Sequence, residues 1–404
     1  MLDPALDSEG IGRSAFSEAL DADWADRRAA LEHRIAGAAI LVVGAAGTIG
    51  SAAVRQLLAF APGRLELIDI DENGLARLAR DIRSRDLAPD ARIGFNALDF
   101  GAAPGLGLVE AKAPFDLVFN FAAVKHVRSE KNVFTALHMI GVNVVAQRRF
   151  ARHLARGRLA QRHFVVSTDK AADPASFMGA TKLLMEHAVF AEAQDATAPK
   201  TSSARFANVA YSSGSLLESY LQRFAAGQAL AAPRDTRRYF ISAREAARIC
   251  LIADEAAPGG RIAAPRFDPA SGAVELSETA ARFLEARGRR AVFVDAAPEA
   301  ERWLALGGQD YPVLLTERDT SGEKTVEVFR GQGERVEAMG LASLELLAPA
   351  RLDRAALERV LDRLADHASG ALPTPTRAEL ARLIGELLPG FAHVAAELSL
   401  DDRV

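Results

Sequence analysis

At 404 residues, with 49% apolar and 25% charged side chains, the chain has a globular composition and enough length for one large or two moderate domains. A formal net charge of −4 removes the basic footprint of a nucleic-acid or anionic-membrane binder. The single cysteine, Cys250, excludes an internal disulfide framework and a cysteine-rich metal centre, and no metal site is expected.

Cys250 lies in the apolar run Ala246–Ile252 and reads as a buried helix residue. The first 30 residues are acidic and alternate polar with apolar, unlike a signal peptide, and no apolar run reaches the roughly 18 residues of a membrane span. A cytoplasmic protein is expected. Residues 1–35 read as an N-terminal extension with one amphipathic helix, Trp24 to Ile35, whose apolar positions are Ala29, Leu31 and Ile35. Its mixed charges favour a strap across the core over a membrane-lying role.

Ala39 to Gly50 reads as a buried strand running into Gly44-x-x-Gly47-x-x-Gly50 and then a helix with apolar Ala53, Val54, Leu57 and Leu58. A dinucleotide site needs these parts: a tight turn at the first glycine, backbone approach to a pyrophosphate at the second, close helix–strand packing at the third. The phosphates would meet the unpaired N–H groups at the helix start, around Thr48 and Ile49. A second strand, Leu65–Asp71, ends in carboxylates about 20 residues beyond the loop. There Asp69, or second Asp71, would accept from the adenosine ribose and repel a 2′-phosphate, so NAD is favoured and NADP is the alternative. The competing role for either is to cap the helix that begins near Glu72.

After that helix (Glu72–Ser84) come a strand at Arg92–Asn96 and Asp99, which either meets the adenine edge or makes a turn. The next strand, starting at Phe115, ends in the small residues Ala122 and Ala123, where a nicotinamide ribose could approach. Lys125 and His126 follow as substrate contacts or ordinary loop charges, then a helix carrying Asn143. Strand Arg162–Val166 opens onto Ser167-Thr168-Asp169-Lys170, and helix Met178–Glu192 presents Gly179, Ala180, Thr181 and Lys182. Strands alternating with helices over residues 39–210 predict a parallel sheet with right-handed crossovers and a ligand site at the C-terminal strand ends, where these polar groups fall.

Ser212–Ser215 and Asp235–Phe240 interleave serine, glycine and arginine with short elements, which suits either a diphosphate grip or a solvated loop. Residues 261–330 read as further αβ structure. The tail reads as two helices, one over Asp353–Ala368 with a Leu357, Val360, Leu361 and Leu364 stripe, one opened by the capping box Thr376-x-x-Glu379. The expected fold is α/β, a Rossmann-like doubly wound parallel sheet (36–210) with a smaller α/β substrate lobe interleaved with it (211–340) and a helical tail (341–404).

In order along the chain, GAAGTIG, FAAVKHV, VSTDKA followed by MGATK, RFANV-x-SSGS, RRYF and SGEK resemble the extended short-chain dehydrogenase/reductases that act as UDP-N-acetylglucosamine 4,6-dehydratases in polysaccharide biosynthesis. The resemblance spans roughly residues 36–330. It implies C4 oxidation by NAD(P), loss of water across C5 and C6, and hydride return to C6, giving a UDP-linked 4-keto-6-deoxy sugar. It also implies roles: Asp169 as acid, Lys170 as base, Ser167 or Thr168 on the C4 oxygen, Lys182 on the nicotinamide ribose. Asn208, Ser215 and Arg238 would hold the uridine diphosphate, with Glu323 and Lys324 closing over it. Met178 stands where the superfamily usually has tyrosine, and a thioether carries no proton; the MGATK spelling resembles the C5-retaining branch. The alternatives are a C5-inverting dehydratase or 4-epimerase on another UDP- or GDP-sugar, and a non-catalytic NAD-binding homologue. A homo-oligomer is expected.

Overall fold

The computed structural model describes residues 14–87, 91–125, 130, 132–194, 197–267, 272–317 and 328–391. Ser14 starts the first helix, α1 (Ala15–Ile35), with a reciprocal capping box to Ser17. The helix is longer than its Trp24–Ile35 stripe predicts, because Phe16 and Leu20 also turn inward beside Trp24, Leu31 and Ile35. Ala29, read as part of the apolar face, is exposed.

The chain then alternates strand and helix: β1 (Ala39–Val43), α2 (Thr48–Leu58), β2 (Arg64–Asp69), α3 (Glu72–Ser84), β3 (Arg92–Ala97), α4 (Ala103–Lys112), β4 (Phe115–Asn120), α5 (Val133–Ile140), a π-helical stretch (Gly141–Ala146), α6 (Gln147–Gly157), β5 (Ala160–Val166), a 3₁₀ turn (Asp169–Ala171), α7 (Phe177–Glu192) and β6 (Lys200–Ala204). Beyond these lie β7 (Asn208–Val209), α8 (Leu216–Ala225), β8 (Leu230–Pro233), β9 (Arg237–Arg238), β10 (Phe240–Ile241), α9 (Ala243–Ala256), β11 (Arg261–Pro265), β12 (Val274–Glu275), α10 (Leu276–Glu285), β13 (Arg290–Val294), α11 (Ala297–Leu306), β14 (Asp310–Thr316), β15 (Arg335–Glu337), β16 (Leu344–Ala348), α12 (Arg354–Ser369) and α13 (Arg377–Gly385).

The nine-stranded central sheet has the order β15-β16-β11-β6-β5-β4-β1-β2-β3. Only β16 runs antiparallel to its neighbours. The order reverses at β1, where β2 lies on one side and β4 on the other, and crevices form at such switch points. Residues Ile40 to Val43 are buried on both faces, as a continuous apolar run in a covered parallel sheet must be.

A second, three-stranded parallel sheet, β13-β14-β8, carries α8, α10 and α11 around Tyr220, Phe283 and Val313. The interval 211–340 is therefore shared, since α9 and β11 return to the central domain and β15 extends its sheet. The tail is likewise not wholly helical: Leu344–Ala348 pairs with β11 because its buried apolar residues complete that sheet edge. Asp353 caps α12 and Thr376 with Glu379 forms the capping box of α13. Both helices bury their stripes against α5 and α7 in one apolar cluster that includes Ile140, Met178, Leu184, Leu361 and Leu380. Cys250 is buried in α9. Among the described residues no helix is long and apolar enough to cross a membrane.

Candidate active site

The glycine loop takes its shape from backbone pairing. Gly44 and Ala45 both donate to the Ile68 carbonyl at the end of β2, and Gly44 adopts φ +73°, a conformation that side chains disfavour. A Cβ on Gly50 would lie 2.0 Å from the Gly44 carbonyl oxygen, so this glycine sets how closely α2 packs on the loop. A Cβ on Gly47, the residue before α2, would meet only the Gly44 carbonyl oxygen, at 3.4 Å. Thr48 opens α2, Ile49 packs against the core, and no side chain caps the helix. A cradle of free helix N–H groups with open room at its second glycine suits a dinucleotide diphosphate.

Asp69 and Asp71 divide the two roles open to them. Asp71 caps α3 through the Gly74 N–H at 2.9 Å and pairs with Arg77. Asp69 stays at the end of β2, accepting from Ala46 N–H at 2.8 Å and Asp71 N–H at 2.9 Å, so one carboxylate joins the glycine loop to the strand that follows. Asp99 accepts from the Gly101 N–H at 2.8 Å, the turn alternative.

Beyond β4 the backbone of Phe121 and Ala122 runs beside Gly44: a Cβ there would lie 2.7 Å from the Ala122 nitrogen, with Ala123 next in the chain. Two buried amides fix this loop. Asn120 accepts from the Ala122 N–H and bonds Gln147, which donates to the Ala122 carbonyl at 2.8 Å. Asn143 accepts from the Val124 N–H and donates to the Val124 carbonyl, both at 2.8 Å, and reaches Thr181 at 3.1 Å. Asn143 sits in the π-helical stretch, a distortion frequent at functional sites. Nothing local in the sequence marks Gln147 or gives Asn143 a role, because their backbone and side-chain partners lie 19 to 38 residues away.

The neighbouring strand end carries the polar cluster. Asp169, 2% exposed, accepts through Oδ1 from the Thr168 hydroxyl at 2.7 Å, the Lys170 N–H at 2.9 Å and the Lys170 ammonium at 3.3 Å. Its Oδ2 and the Ser167 hydroxyl are buried without hydrogen-bond partners. Buried polar groups are normally paired, so two without partners among the described residues, both just beyond β5, mark room for a ligand's donors and acceptors. Helix α7 starts against this turn; a Cβ on Gly179 would lie 2.4 Å from the Lys170 carbonyl oxygen. Lys182, one turn along, reaches back to the Val166 carbonyl at 2.7 Å. Burial pushes its pKa down to about 8, while Glu186 acts in the opposite sense. Met178 is buried in the apolar cluster, and its N–H donates to buried Glu130 at 2.8 Å.

The second lobe meets this edge. Ser213 N–H reaches the Thr48 hydroxyl at 3.4 Å, joining the serine loop to the start of α2. Lys125 is solvent-exposed, yet lost hydration around its amine lowers its pKa, opposed by Glu218 on α8. Ser215 caps α8. Asn208 donates to the Tyr239 carbonyl at 3.4 Å, and mostly buried Arg238 bonds the Arg237 carbonyl. His126, Glu323 and Lys324 lie outside the described residues.

Sequence reasoning also missed a buried ionic group. Arg205, fully buried after β6, donates to Glu186 at 2.9 and 2.6 Å and to Glu334 at 2.8 and 2.7 Å. Burial opposes its charge, and the two carboxylates outweigh that, holding its pKa above the usual arginine value. With Lys182 a turn away from Glu186, the four groups form a charge-balanced chain running inward from the site. Arginine in the run RFANV hints at none of this, because Glu334 lies 129 residues on.

Comparison with known proteins adds the following. The family described as "Polysaccharide biosynthesis protein" matches residues 40–326. An uncharacterized membrane protein of Methanocaldococcus jannaschii is 33% identical over 55% of this chain and 65% of its own length. Capsular polysaccharide biosynthesis protein CapD of Staphylococcus aureus is 28% identical over 58% of this chain and 39% of its own. The match thus spans under two thirds of either relative. Among solved structures, Pen from Bacillus thuringiensis superposes with a TM-score of 0.62 at 18% identity, covering 78% of this chain and 89% of Pen. The Bordetella bronchiseptica enzyme WbmF, solved with NAD+ and UDP, gives 0.54 at 15% identity, covering 84% and 98%.

Proposed function

The chain belongs to the polysaccharide biosynthesis protein family, and from that premise we propose that it is a nucleotide-sugar 4,6-dehydratase acting on UDP-N-acetylglucosamine with retention at C5. The observation that carries this reading is the pair of buried Asp169 and half-buried Lys170, with Asp169 Oδ2 and Ser167 Oγ buried and without partners among the described residues, at a strand end of the sheet that holds the glycine cradle.

The dinucleotide, NAD rather than NADP because Asp69 stands at the ribose end of β2, supplies a reversible hydride acceptor when bound. Gly44, Gly47 and Gly50 shape its diphosphate cradle, and Ala122 and Ala123 border its nicotinamide ribose. Lys182, close to neutrality, holds that ribose and favours oxyanion character at sugar O4. Ser167 and Thr168 hydrogen-bond the same oxygen. Once C4 is a ketone, the C5 proton is acidic. Neutral Lys170 takes it as protonated Asp169 gives its proton to the departing 6-hydroxyl, which leaves as water. The pair ends as ammonium and carboxylate; once C6 has been reduced, the Lys170 ammonium gives a proton back to C5 and Asp169 takes up the proton released at O4 when C4 was oxidised, which resets both groups. Both groups act together only with opposite protonation. Asn208, Ser215 and Arg238 hold the diphosphate, with Lys125 at the rim.

Met178 favours a second reading, a cofactor-binding homologue that does not turn over, since its buried thioether cannot replace a phenol. Incubation with UDP-N-acetylglucosamine in deuterated water, followed by NMR and mass spectrometry, separates the two. Loss of one water with deuterium at C5 and gluco configuration retained supports the dehydratase. Inversion at C5 moves the branch, and an unchanged sugar in the presence of bound NAD favours the second reading.

A further inference from the structure

At the sheet edge opposite the candidate active site, a cavity of about 670 Å³ opens where β6 and β11 begin, between the C-terminal half of α7 and the start of α12. Its walls carry Lys200, Arg261, Arg351, Arg354 and His187, with Phe190 as an aromatic face, and no carboxylate is among the described lining residues. Arg261 is held by Glu337 at 2.7 and 3.0 Å, and Arg354 donates to the Gln194 side chain at 2.8 Å, so both guanidinium groups are already oriented. Lys200 and Arg351 have no hydrogen-bond or ionic partner among the described residues.

Glu337 balances Arg261, while Lys200, Arg351 and Arg354 leave an excess of positive charge on the wall, which attracts an anion. Arginine forks suit phosphate oxygens. The volume falls within the range of small-molecule sites, well above what inorganic phosphate fills, and Phe190 can meet a flat apolar body. We propose that this cavity is a second ligand site, separate from the active site, that takes a nucleoside diphosphate. Much of its wall, from residue 349 onward, lies beyond the region that the family match covers.

Hydrogen exchange on the full chain tests this with UDP, ADP and pyrophosphate as probes. The expected result is protection of residues 187–194, 259–265 and 349–357 by UDP or ADP at about millimolar concentration or below, weakened at least about tenfold in a Lys200→Glu, Arg351→Glu double variant. Unchanged protection of the glycine loop by NAD in that variant shows that it is folded. Protection by pyrophosphate alone overturns the nucleotide assignment, and no protection by any probe overturns the site. The readout is local and needs no turnover, so it is independent of the dehydratase reading.

Discussion

The Lys182 ammonium on α7 donates to the carbonyl of Val166, the last residue of β5, across 2.7 Å of buried space. A charged lysine there costs stability. The group is depressed from 10.5 to about 8 in the folded chain, so the cost is complete below about pH 8. It fades as pH rises toward 10.5, where the unfolded chain also loses the proton. The shift corresponds to about 3 kcal/mol, and Lys182→Met gives back part of it by leaving the Val166 carbonyl without its donor. Urea unfolding is expected to find this variant more stable than the parent by about 2 kcal/mol at pH 7, with the gap closing by about pH 10, and inactive. A less stable variant at pH 7 would contradict the cost.

Asp169→Asn and Lys170→Ala each remove one half of the proposed proton exchange. Both variants are expected to lose about 100- to 10,000-fold in water elimination. NAD binding, measured by fluorescence titration, is expected to stay within about twofold, since neither side chain touches the glycine loop. Normal turnover in both would end the role assignment.

The second and third glycines of the loop answer to different forces. Gly50→Ala places a methyl group 2.0 Å from the Gly44 carbonyl oxygen and is expected to cost about 3 kcal/mol in a thermal melt, the upper end of ordinary overpacking. Gly47→Ala meets the Gly44 carbonyl oxygen only at 3.4 Å, near ordinary contact distance, so the melting temperature should change little while NAD affinity falls about tenfold or more.

Met178→Leu tests whether the thioether has any chemical part. A volume-conserving swap in an apolar cluster costs under about 1.5 kcal/mol. The rate is expected to stay within about threefold; a collapse of turnover in a folded variant would give sulfur a role.

Arg205→Met leaves Glu186 and Glu334 buried without their cation. Breaking such a group typically costs about 3–5 kcal/mol, and chemical denaturation should find a loss of that size, with partial rescue by Arg205→Lys.

Features set by neighbours along the chain were readable in advance. The glycine loop, the Thr376 capping box and the α12 stripe need only local spacing, and each sits where spacing puts it. Asp71 as a cap and Asp69 as the strand-end carboxylate were both on the table, and only the Gly74 contact separates them. What could not be read depends on tertiary closure. Gln147 under Ala122, Asn143 on Val124 and Arg205 between two glutamates are recognisable once β4, β5 and β6 lie side by side. The return of Leu344–Ala348 to the main sheet was hidden for the same reason, since a short, mostly apolar segment fits a strand or a helix equally.

Helices α12 and α13 share one apolar cluster with α5 and with the buried side of α7. Helix α7, which carries Met178 and Lys182, thus leans on residues some 200 positions later, beyond the stretch that the family match covers. A protein cut after residue 340 would bring its glycine loop intact into solution yet leave the catalytic helix with a greasy, unclad flank. Such a fragment would keep the strand–glycine–helix unit and lose the support of Lys182, which would ride on a helix with nothing behind it.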